Sequence, residues 1–153
     1  MDSYINQIYT IMKKIILAVA LVLGFAAAAS AQPRALGGRF GYGVDLSYQH
    51  NVNGADFVEA DLGLDSFKFL NVAATYNFMI SEFGDGFGFY AGPGVAVGFG
   101  ESLHVGVAGQ VGIEYNFDFP LQLSIDVRPQ LGLVNEAFGV WGWYPHLGIR
   151  YRF

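Results

Sequence analysis

Apolar and polar residues alternate with a period of two through most of this chain. Leu147, Ile149, Tyr151 and Phe153 alternate with His146, Gly148, Arg150 and Arg152. Leu121, Leu123, Ile125 and Val127 alternate with Gln122, Ser124, Asp126 and Arg128. The same rhythm runs through Phe40–Tyr48, Leu70–Phe78 and Leu103–Tyr115. Successive side chains of a strand point to opposite faces, so each segment has one apolar face and one polar or very small face. No helical period is found after Gln32. Turn residues cut the pattern at Asn51-Val52-Asn53-Gly54, Asp65-Ser66, Glu82–Gly86, Gly100-Glu101-Ser102, Asn116–Pro120 and Asn135-Glu136-Ala137. Seven segments result: 37–50, 55–64, 68–79, 87–99, 102–116, 120–133 and 140–153. Single-chain bacterial barrels have even strand numbers. A division of the first segment at Gly41-Tyr42-Gly43 makes eight.

Two architectures fit such strands. A soluble sandwich buries the apolar face; a membrane barrel turns that face to lipid and the polar face inward. Three features favour the barrel. Several segments approach the 9–11 residues that cross a bilayer at a tilt. Their polar faces are mostly Gly, Ala, Ser, Asn and Gln, which suit a narrow lumen. The sequence ends on Phe153.

The first residues follow a different pattern. Lys13-Lys14 precede an apolar run, Ile15–Ala29, and then Ala29-Ser30-Ala31. This is the layout of a secretory signal with its cleavage site. The run is short for a membrane-spanning helix. The expected division is therefore a signal peptide at 1–31, with Met12 an alternative start, and a barrel domain at 32–153. The expected partner in export is the secretion translocon.

Composition narrows the classes. Charged residues make up 14%, against about 25% in soluble domains. Gly supplies 21 positions, about twice the usual share. Cysteine is absent, so disulfides, thiolate metal sites and Cys nucleophiles are excluded. The 13 Asp+Glu against 8 Lys+Arg argue against a nucleic-acid partner.

The last segment, Gly148-Ile149-Arg150-Tyr151-Arg152-Phe153, resembles the final strand of small eight-stranded outer-membrane β-barrel proteins of Gram-negative bacteria. Tyr90–Gly94, Gly112–Phe117 and Pro120–Pro129 resemble their late strands. The resemblance spans nearly all of 36–153. It implies an all-β, eight-stranded antiparallel up-and-down transmembrane barrel in the outer membrane. It also implies that Leu147, Ile149, Tyr151 and Phe153 form the signal read by the outer-membrane assembly machinery. The expected partners are that machinery and outer-membrane lipid, and the expected state is a monomer. The loops are shorter than those of adhesin members.

Candidate chemistry is sparse. Arg39, Asp45, Glu59, Asp61, Glu114, Asp126, Arg128 and Arg150 fall on inward positions, where buried charges must pair. The reading is a salt-bridge network that fills the lumen, with Arg152 further along; the alternative is a narrow polar pore. Ser102, His104 and Glu114 share a face, but Glu114 is ten residues (~33 Å) from His104 and cannot orient it. The three His (His50, His104, His146) lack ligand spacing. No enzyme activity, cofactor or metal is expected. Trp141 and Trp143 suit an aromatic belt at one membrane interface, and Tyr151 and Phe153 suit the other. The expected role is structural or membrane-maintaining. The alternatives are a small pore or carrier for a small or hydrophobic ligand, and a surface adhesion or interaction protein.

Overall fold

The computed structural model of the chain describes residues 2–28, 33–65, 69–100, 103–134, 137–141 and 144–153. Side chains at 18–28, 65, 69, 134 and 141 lie outside that description. The chain divides into two compact units, Met1–Gln32 and Pro33–Phe153. In the first, Asp2–Ala28 forms one α-helix, α1. Among the described residues no helix is long and apolar enough to cross a membrane, which says nothing about strands.

The second unit is all β. Its strands are β1 (Pro33–Phe40), β2 (Gly43–Asn53), β3 (Asp56–Asp65), β4 (Phe69–Phe83), β5 (Phe87–Phe99), β6 (His104–Asn116), β7 (Leu121–Val127), β8 (Gln130–Val134), β9 (Ala137–Trp141) and β10 (His146–Arg152). All pairings are antiparallel. β6 pairs first with β8 and then with β7, so these two form one stave. β9 and β10 form another, paired with β8 and β7. β10 also pairs with β1, and the sheet closes as an eight-stave up-and-down barrel.

The chain turns at Gly41-Tyr42, so the long first run of alternation is two staves. Elsewhere the boundaries differ from the sequence pattern. β1 starts at Pro33 rather than 37, and β4 runs on to Phe83 through a register shift between Met79 and Ser81. The last two staves, expected unbroken over 120–133 and 140–153, are each interrupted. Pro129 lies in one break and Pro145 borders the other. Proline has no N–H to give to the ladder, so pairing lapses there.

Both ends of the barrel unit lie on one rim, where the Phe153 amide donates to the Arg34 carbonyl. Three short connections share that rim, at 54–55, 84–86 and 117–120. Gly86 shows why a glycine is needed there. Its φ is 119°, and a Cβ would sit 2.4 Å from the Asn116 carbonyl oxygen. In mid-wall, a Cβ on Gly92 would lie 1.6 Å from the Tyr76 carbonyl oxygen. Glycine there lets two staves of a tightly curled sheet approach each other.

The two faces of the wall are sorted in the reverse of a soluble core. Glu59 is 0% exposed and Arg128 1%, whereas Val95 and Val107 are 58% exposed and Ile125 61%. The buried positions are largely polar or charged, and the exposed row is Leu, Val, Ile and Phe. Inside, Ala73, Ala96 and Ala108 make a small apolar cluster.

Candidate functional site: the charge network inside the barrel

The staves turn side chains inward at every second position, and their registers bring the charged ones among them into two clusters. Arg39, on β1, sits between two carboxylates. Its Nε lies 3.0 Å from both Asp126 oxygens, and its Nη1 lies 2.9 Å from Asp45. Its Nη2 also donates to Asp126. Arg128 bonds Asp61 and comes within 3.7 Å of Asp45. Asp45 therefore stands between two guanidiniums. Gly63 makes room for it, since a Cβ there would fall 1.7 Å from Asp45 Oδ1.

A second centre forms nearer the rim that holds both ends. Arg150 lies 3.4 Å from Glu59 and donates to Ser47 at 2.9 Å, Ser124 at 2.8 Å and Gln122 at 3.1 Å. Glu59 also accepts from Gln49 at 2.8 Å and Gln110 at 3.2 Å. Gln110 accepts from Thr75, and Thr75 accepts from Asn77. Glu114 accepts from Gln122 and Asn116, each at 3.0 Å. A buried ion pair offsets its desolvation only when the remaining lone pairs and protons also find partners. The amides and hydroxyls supply many of those partners.

The structure thus brings Arg39, Asp45, Asp61, Asp126 and Arg128 together in one group and Glu59, Glu114 and Arg150 in the other. It adds one cation that the sequence pattern hides. Arg34 has the parity of an outward residue, but the β1–β2 register shifts between Pro33 and Ala35. Arg34 consequently turns inward, bonds Gln49 and Glu114, and lies with its Cζ 4.1 Å from the Phe57 ring centroid. Phe57 packs edge-on against Tyr90, 5.1 Å between centroids. These three side chains form a floor across this end of the lumen. The only sequence hint is Pro33, a residue that often marks a ladder irregularity.

The other singled-out residues are dispersed. Arg152 is half-buried at the rim and donates to the Phe117 carbonyl. His146 is buried, with Nδ1 2.9 Å from the Tyr144 carbonyl oxygen. His104 and Glu114 stand near opposite ends of β6, and Ser102 lies outside the described residues. Leu147, Ile149, Tyr151 and Phe153 all face outward and are exposed. Trp141 pairs with Gln130 through its backbone. Its side chain, and the whole of Trp143, lie outside the described residues. Among the described residues no group of three or more His, Asp or Glu side chains is arranged to hold a metal.

Chemically the interior sets Arg34, Arg39, Arg128 and Arg150 against five carboxylates, cross-linked by amides and hydroxyls, and leaves a few buried atoms, among them Asp45 Oδ1, Asp61 Oδ1 and Arg128 Nε, without a hydrogen-bond partner. Comparison with known proteins adds no assignment: no family model, no curated protein and no solved structure matches the chain.

Proposed function

We propose that this chain is an outer-membrane β-barrel with a structural or membrane-maintaining role, exported by a cleaved signal within residues 1–31. One observation carries the reading. The closed wall exposes its apolar face and buries its charged face. Apolar surface on this scale is costly in water and favourable in lipid. A closed barrel also leaves no backbone edge along its paired length, which the hydrocarbon region requires. The outward row Leu147, Ile149, Tyr151 and Phe153 is the segment we assign to the assembly machinery. The filled lumen favours a structural role over a pore.

The test is a gel comparison of boiled and unboiled outer-membrane fractions. Folded barrels resist SDS at room temperature and change mobility on boiling. A band in that fraction with such a shift is expected. A soluble periplasmic band without a shift would overturn the reading.

A further inference from the structure

The outer wall is not equally tall all the way round. β1 contributes eight residues, β2 eleven and β3 ten, against fifteen in β4 and thirteen in each of β5 and β6. At ~3.3 Å per residue and a tilt near 40°, β1 rises roughly 20 Å and β5 or β6 about 33 Å. Past the Gly41-Tyr42 turn the last stave continues alone on that side. Phe40 pairs with Leu147, and β9 pairs only with β8 among the described residues.

The outward side chains repeat the asymmetry. On β5 the outward positions are Phe87, Phe89, Ala91, Pro93, Val95, Val97 and Phe99, with no polar side chain. On β2 the outward positions are Val44 and Leu46, then Tyr48 and His50, with Tyr48 Oη 2.8 Å from His50 Nδ1, and then Val52 at the rim. Two staves on, Tyr76 Oη donates to Asp56 at 3.3 Å. Val58 lies between these pairs, opposite both His50 and Tyr76. A polar patch thus faces outward on β2–β4, where the corresponding outward positions of β5 and β6, from Phe89 to Pro93 and from Gly109 to Ile113, carry no polar side chain. On the rim below β4–β7 there is instead a run of contacting rings: Phe83, Phe87, Tyr115, Phe117 and Phe119. Such rings favour the level of lipid headgroups.

We propose that the β1–β3 side of the wall holds the bilayer locally thin and draws phospholipid headgroups to Tyr48, His50 and Asp56, with Tyr76 of β4 at the margin of that patch. A short hydrophobic span is met by thinning of the surrounding bilayer. The rings under β4–β7 fix the depth on the tall side, so the mismatch is concentrated on the short one. The partner of this surface is the headgroup layer itself. The proposal rests on the membrane reading above and locates where this barrel deforms its membrane.

The test uses the absence of native cysteine. Val58→Cys and Ile113→Cys place one nitroxide each on outward positions two or three residues inside the same rim. The full barrel unit is refolded into dioleoyl phosphatidylcholine vesicles. Folding of each variant is checked by its gel shift, and accessibility to oxygen and to a water-soluble nickel chelate is measured. Nickel accessibility several-fold higher at position 58 than at 113 is expected. In dilauroyl vesicles, whose bilayer is thin throughout, the ratio should fall towards one. Equal, oxygen-dominated accessibility at both positions in the thicker vesicles would overturn local thinning and leave the membrane reading intact. A label at 58 shielded from both reagents would also overturn it, in favour of a second copy covering the patch. Free nickel access at 113 would overturn the membrane reading itself.

Discussion

Arg39→Met removes the cation that two buried carboxylates share. Asp126 loses its contacts from Nε, 3.0 Å to each oxygen, and from Nη2; Asp45 loses its 2.9 Å contact. The side chains involved are at most 3% exposed, so water cannot readily replace the lost partner. Removing one member of a buried ion pair typically costs about 3–5 kcal/mol, because the other charge is left uncompensated. Asp45 retains Arg128 at 3.7 Å, so Asp126 bears most of the loss. Adding Asp126→Leu removes the stranded charge. The double variant should therefore be more stable than the two single losses sum to, by about 0.5–3 kcal/mol. Urea unfolding of the refolded barrel in phospholipid vesicles, followed by the heat-sensitive gel band, measures all four species. A loss for Arg39→Met below the ~1 kcal/mol typical of a solvent-exposed pair would refute the reasoning. The interior would then be wet enough to rehydrate Asp126.

Further outcomes follow from the same geometry. Gly92→Ala should destabilise by about 1–3 kcal/mol or more, because its methyl meets the Tyr76 carbonyl. Gly109→Ala, with nothing within 4 Å of the added methyl, should change stability by less than about 0.5 kcal/mol; the same urea titration compares them. Val107→Arg should cost about 2–4 kcal/mol in vesicles if Val107 sits at the bilayer midplane. An unchanged midpoint there would place that residue away from lipid. Planar-bilayer recordings should show no unitary current steps, because Arg34, Arg150, Glu59 and Gln122 occupy the lumen. Resolved steps would show a continuous water path through it.

The period of two makes strands, turns and the facing of each side chain readable, since it follows from backbone geometry alone. Even the reversal at Gly41-Tyr42 follows once an even count of staves is required, although alternation runs through it without a break. The interruptions beside Pro129 and Pro145 are less visible, because apolar residues keep their rhythm on both sides of a missing hydrogen bond. Arg34 is hidden for a related reason. A one-residue irregularity reverses parity, and only the neighbouring Pro33 hints at it. Which carboxylate each arginine meets is also illegible from neighbours in sequence. The Arg128–Asp61, Arg34–Glu114 and Arg39–Asp126 bonds span 67, 80 and 87 positions.

Those spans bear on how the barrel comes together. A stave slipped by one residue would turn its inward charges out onto the apolar outer face and its valines in among guanidiniums. An incomplete barrel leaves Arg39 without Asp126 and Arg34 without Glu114, since the partners arrive on β7 and β6. Misregistered and half-closed forms are thus penalised by the same groups that fill the finished lumen. The interior selects for correct strand order, and that selection is complete only when β10 meets β1.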